Sequence, residues 1–120
     1  MEKSTENAFL EHLRLARAES SRIKDATSAP EEMPALRLCY LAEDVRSGFA
    51  ITHDSELVGV FSLESGRGDH LVALAVQMGA CKLDCFDGYL PTLYARHGFV
   101  EIDRQPNWTP GGPDVVYMRR

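Results

Sequence analysis

The segment Glu64-Ser65-Gly66-Arg67-Gly68-Asp69 stands immediately before an apolar run, His70 to Met78, that ends at Gly79. Two glycines bracketing an arginine at the mouth of a helix can present bare backbone amides to an anion, since a helix N-terminus carries unpaired N–H groups and the positive end of the dipole. Asp69 works against that use, because an aspartate at the helix start caps those amides itself and repels a second anion. The segment therefore reads equally as an anion cradle or as a plain turn. Asp84 and Asp87 follow in LDCFDGYLP, and with Glu64 they are the carboxylates available as proton acceptors. Asp87 also suits the N-terminus of the next helix on electrostatic grounds alone. Cys81 and Cys85 fall on one face of a strand, about 13 Å apart at strand rise, too far for one ion to bridge, so no metal site is expected. Cys85, His97 and Asp84 form no recognisable nucleophile motif. Trp108 and Tyr117 flank a Pro/Gly-rich loop, where large aromatics either close the core or offer a partner surface.

These residues must be carried by elements that the patterning predicts. Ala8, Phe9, Leu13, Ala16 and Ile23 recur at helical spacing over about Thr5 to Ile23. Ser28, Pro30 and Glu31 look like a second helix start, continued by Met33, Leu36, Tyr40, Leu41 and Val45 as far as Gly48. Leu36, Leu38 and Tyr40 also alternate as in a strand, but length and cap favour the helix. GFAITH, DSE and LVGVFSL then read as a β-hairpin. The order strand 57–63, helix 69–78, strand 81–86 reads as a βαβ unit with parallel neighbouring strands, the second of them central. A helix over Tyr89–His97 has Pro91 in its first turn and Gly98 at its end, with Phe99 folding back on Leu93 or Tyr94. VEIDRQ and DVVYMRR are the last two strands.

The 120 residues, 44% hydrophobic and 26% charged, fit one globular domain, expected to comprise N-terminal helices over 1–47 and a core over 48–120. A net charge of −5 argues against nucleic acid and anionic lipid as partners. The charged N-terminus has no apolar stretch fit for a signal or a span, and three cysteines suggest free thiols, so a cytoplasmic protein is expected.

From Gly66 to Phe99 the chain resembles the GNAT N-acetyltransferase superfamily, whose acyl-CoA site has a glycine-rich loop opening a helix, then a strand, then a helix ending in L-Y-x-x-x-G-F. Here that ending is Leu93-Tyr94-Ala95-Arg96-His97-Gly98-Phe99, matched in full. The strand with FDG, this helix end and PNWTPGGPDVVYM together resemble small GNAT-like proteins of phages and prophages. The resemblance implies a truncated GNAT-like α/β fold, a mixed central sheet of about five strands with helices on both faces. It implies acetyl-CoA as co-substrate, no metal, and a small-molecule or peptide amine as acceptor, and it allows a homodimer. Tyr94 would protonate the departing thiolate, with Asp84, Asp87 or Glu64 as base; Gly66, Arg67, Gly68 and Asp69 would hold the pyrophosphate, and the strand bearing Leu83, Cys85 and Phe86 would pair with pantetheine. The family's loop is usually Q/R-x-x-G-x-G/A, and the Q/R position here is Leu63. The helix from Gly68 to Gly79 is about one turn shorter than usual, and two helices replace the N-terminal strands. These departures leave a second expectation, a catalytically degenerate GNAT-like binding or accessory protein.

Overall fold

The computed structural model describes residues 5–120. Helix α1 (Glu6–Glu19) starts where the Thr5 side chain accepts from the Ala8 N–H at 3.1 Å. The expected long first helix is broken at Ser20, whose extended backbone ends α1 and whose hydroxyl caps α2 (Ser21–Ala26) through the Ile23 N–H. A 3-10 turn, Pro30–Glu32, follows.

The expected second helix is instead β1 (Leu36–Leu41), paired antiparallel with β2 (Ser47–Thr52). Tertiary pairing overrode the helical spacing: as a strand the segment sends Leu38 into one core and Cys39 into the other, and it covers an edge of β2 that a helix would leave unpaired. β2 pairs on its other side with β3 (Leu57–Ser62), the expected hairpin partner. Every residue of β2 is buried, which explains its unbroken apolar and small sequence. Phe9, Leu13, Ala16 and Ile23 pack on one face of this sheet with Cys39, Ala50 and Phe61. The opposite face carries Leu38, Phe49, Ile51 and Leu57 against Leu71, Val72 and Ala75 of α3 (Gly68–Gln77).

A second sheet contains β4 (Lys82–Phe86), β5 (Val100–Gln105) and β6 (Val115–Arg119) in the order β4-β6-β5, all antiparallel. Its buried face, with Leu83, Val116 and Met118, meets α3 and α4 (Tyr89–Ala95) in the larger core. Gly98, at φ +91°, ends the last turn, and Phe99 folds back edge-on to Tyr94 with ring centroids 6.0 Å apart.

The expectation of one mixed five-stranded sheet is overturned. The described residues form two separate three-stranded antiparallel sheets, and β3 and β4 are not paired neighbours. They start side by side and run the same way, but share one parallel bridge, Glu56 with Lys82, before diverging. The cause lies in β3. Between Val58 and Phe61 it takes three steps where β2 takes two from Ala50 to Gly48, so β3 bulges at Gly59–Val60. Gly59 has φ +62°, a conformation that costs glycine little, and such a bulge bends its strand. β4 is therefore an edge strand, not a central one. No helix among the described residues is long and apolar enough to cross a membrane.

Candidate functional site

The divergence of β3 from β4 opens a cavity of about 450 Å³. All six residues of β3 line it, as do the 64–69 turn, Leu71 of α3, Asp84 of β4, and Tyr89, Leu90, Leu93 and Tyr94 of α4. The outer wall is α2 and its exit, from Arg22 to Ser28. One end is thus apolar with two polar groups, Asp84 and Tyr94, and the other is the glycine turn at the mouth of α3.

Tyr94 is only 6% exposed. Its hydroxyl has no hydrogen-bond partner among the described residues, yet no buried polar atom there is left unsatisfied. The hydroxyl therefore opens into the cavity. Burial holds its pKa well above the usual phenol value, and the charges of Cys85 and Asp84 add to the shift. Tyr94 thus stays a neutral hydrogen-bond donor across the physiological range.

Asp84 stands open to the cavity, but the surrounding walls take water from its carboxylate and raise its pKa above the ordinary value. Its neighbour Glu56, at the bridge where the strands part, is raised as well, first by burial and then by the negative charge of Asp84. Two carboxylates with raised pKa at the apex of the seam form a basic pair that periodicity could not reveal, because Glu56 lies 28 residues from Asp84 in the chain.

At the other end the glycine turn differs from expectation. No side chain among the described residues caps α3. Asp69 does not close over the first amides; Arg96 grips its carboxylate at 3.2 and 3.1 Å and His97 Nε2 lies 2.8 Å from it. Arg96 first and His97 second hold the Asp69 pKa below the usual range. Arg67 is likewise engaged, donating to Asp44 at 2.6 and 3.0 Å and to the Ser47 hydroxyl at 3.0 Å. Asp44 sits in the β1–β2 turn beside Val45, whose φ of +54° is strained for a β-branched residue.

Of the residues singled out from sequence, Gly66, Arg67, Gly68, Asp69, Asp84, Glu64 and Tyr94 come together on this cavity. Leu83, Cys85, Phe86 and Asp87 do not line it. Leu83 is 4% exposed within the core, Cys85 packs against that core with its thiol pushed up to about 12 by burial, and Phe86 tilts against Trp108. Asp87 is held by Arg104 at 2.7 Å and by the Gly88 N–H, and Arg104 also reaches Glu101 and Asp114. It is the free edge of β3, not that of β4, that borders the cavity along its length. Trp108 is 77% exposed on its loop. No cluster of three or more metal-ligating side chains occurs among the described residues. No protein-family model matches the chain, and no curated protein or solved structure matches it either.

The Arg67–Asp44 pair fixes the turn with a pH dependence of known sign. Arg67 first, then the Arg46 N–H, lowers the Asp44 pKa from 3.8 to about 2. A depressed folded-state pKa stabilises the fold above the unfolded value, and that contribution disappears as pH falls through about 2. Asp44→Asn should therefore be less stable than the native chain at pH 7, with most of that difference gone by about pH 2. Urea unfolding at both pH values checks this, and a stability difference that persisted undiminished at the acid end would contradict the pairing.

Proposed function

We propose that the cavity holds the pantetheine arm and thioester of an acyl-CoA, and that the protein transfers the acyl group to an amine. The observation that carries the reading is the unpartnered Tyr94 hydroxyl, presented at the apolar end of a cavity whose other end is an uncapped helix N-terminus. An apolar pocket with a few convergent polar groups is the usual form of a small-molecule site. A thioester on a diphosphate-bearing arm needs such a combination: an anion site, a lined channel, and a donor beside the sulfur. The match of Leu93 to Phe99 to the L-Y-x-x-x-G-F ending supports the same assignment.

The arm would lie along the free edge of β3, where the bulge at Gly59–Val60 interrupts the ladder with β2. An extended ligand can hydrogen-bond such an edge as an added strand would. The acceptor would enter at the Glu56–Asp84 end as an ammonium ion, drawn by the two carboxylates. Asp84 takes its proton, the amine attacks the carbonyl carbon, and the C–S bond breaks as the amide forms. The thiolate leaves with the electron pair and accepts a hydrogen bond from Tyr94. Because the phenol's pKa is raised, Tyr94 stabilises the thiolate by donation; the nitrogen sheds its second proton to solvent as the amide forms, the thiolate takes one up from solvent, and Asp84 returns its own to solvent to reset the site.

A binding protein that keeps the groove without the chemistry is the second reading, favoured by one observation: Asp44 occupies Arg67, the loop's own cation.

Calorimetric titration with acetyl-CoA separates the two. The first reading expects saturable binding with acetyl transfer to a primary amine; no binding at millimolar ligand would end it. Tyr94→Phe should lower kcat about a hundredfold, the scale of losing one hydrogen-bond donor to charge that develops in the transition state, with CoA affinity little changed. An unaltered kcat would remove the role given to Tyr94. The acid limb of the native rate profile should lie above the ordinary aspartate pKa of about 3.9, since Asp84 must be ionised to act and its pKa is raised.

A further inference from the structure

The anion end of the cavity holds more charge than its sequence suggests, and almost all of it is cancelled. Glu64 pairs with Arg46 at 3.3 Å, Asp69 with Arg96 and His97, and Arg67 with Asp44. One cation lining the cavity is left over. Arg22, on α2, has no carboxylate partner among the described residues; its Nη2 donates to the Ser62 carbonyl at 3.1 Å. That bond places its guanidinium at the end of β3, next to Leu63, the position where the resembled loop motif carries glutamine or arginine and this chain carries leucine. A guanidinium has five donors, so one spent on Ser62 leaves others for a ligand.

We propose that Arg22 holds the diphosphate of the acyl donor, supplying from α2 the positive charge that the 63–68 loop lacks in its own sequence. The inference rests on the acyl-donor reading above. Two features beside Arg22 point to a ligand there: the first amides of α3 have no side-chain cap among the described residues, with open space at Gly66 before them, and Tyr94, only 6% exposed, turns an unpartnered hydroxyl into the other end of the same cavity. The lining acids Glu64 and Asp69 are engaged by Arg46, which Glu19 shares, and by Arg96, whereas Arg22 has no carboxylate partner among the described residues and is the cation left to meet an entering anion. α2 is then part of the donor site, and the N-terminal segment cannot be removed without losing it. Ile23, 2% exposed in the core beneath, fixes the helix so that Arg22 points over the rim.

The test is calorimetric titration of the native chain, Arg22→Gln and Arg22→Lys, each with CoA and with pantetheine, which has the arm but no phosphate. Arg22→Gln should raise the Kd for CoA about tenfold or more, the scale of one charge-assisted hydrogen bond, and leave pantetheine binding unchanged. The salt dependence of CoA binding should become shallower, and Arg22→Lys should recover part of the affinity. An unchanged Kd for CoA in Arg22→Gln overturns the proposal. An equal loss for pantetheine, or an equal loss in Gln and Lys variants, also overturns it, because Arg22 would then be only a tether between α2 and Ser62. If the native chain itself fails to bind CoA while remaining folded, the acyl-donor reading falls first and this inference falls with it.

Discussion

Between Val58 and Phe61 the chain takes one residue more than the partner strand facing it, and Gly59, at φ +62°, absorbs the difference. A side chain there would need a left-handed backbone and would push a Cβ to 2.8 Å from the Met33 methyl and 3.1 Å from the Phe9 ring. The bulge bends β3 away from β4 just after their one shared bridge, and everything else at the site follows from that separation. Two sheets form in place of one, the inner edge of β3 stays unpaired, and the gap fills with side chains from α2, α3 and α4. An unpaired edge inside a protein is ordinarily a liability. Here it faces a cavity, where a ligand can complete it.

Around the gap, charges are arranged in closed pairs that stiffen its borders. Arg67–Asp44 ties the glycine turn to the β1–β2 turn, Asp69–Arg96–His97 ties the start of α3 to the end of α4, and Arg104 gathers Asp87, Glu101 and Asp114 to fix the far end of β4. Each is solvent-accessible, and exposed pairs contribute little to stability one by one. Their effect is positional: they hold loops in place and remove net charge. Left without an ion pair among the described residues are Arg22 at one end of the cavity and Asp84 at the other, with Glu56 beside Asp84 offset in part by Lys82, so the cavity has a positive and a negative end.

Much of this was legible in the sequence where the signal was local. The hairpin of β2 and β3, the short α3 ended by Gly79, and the turn from Tyr94 through Gly98 to Phe99 all follow from alternation, capping and glycine placement. The meeting of Tyr94 and Asp84 with the 64–69 turn was legible too, because they sit on consecutive elements. β1 was not: Met33, Leu36 and Tyr40 satisfy helical spacing while Leu36, Leu38 and Tyr40 satisfy a strand, and only the open edge of β2 decides between them. The divided sheet was not legible either, since a bulge is set by register against a partner. Nor were the partners of Asp69 and Arg67, or the arrival of Arg22 beside Leu63, because those contacts join residues 23 to 41 positions apart.

The central claim is that β3 and β4 are held open for an extended ligand. Amide hydrogen exchange, resolved by residue, tests it most directly in the free protein and with saturating CoA. The β3 amides on the cavity edge should exchange quickly in the free protein and become protected when CoA is added. Protection of those amides before any ligand is present would mean that the two strands pair in solution, and would contradict the account.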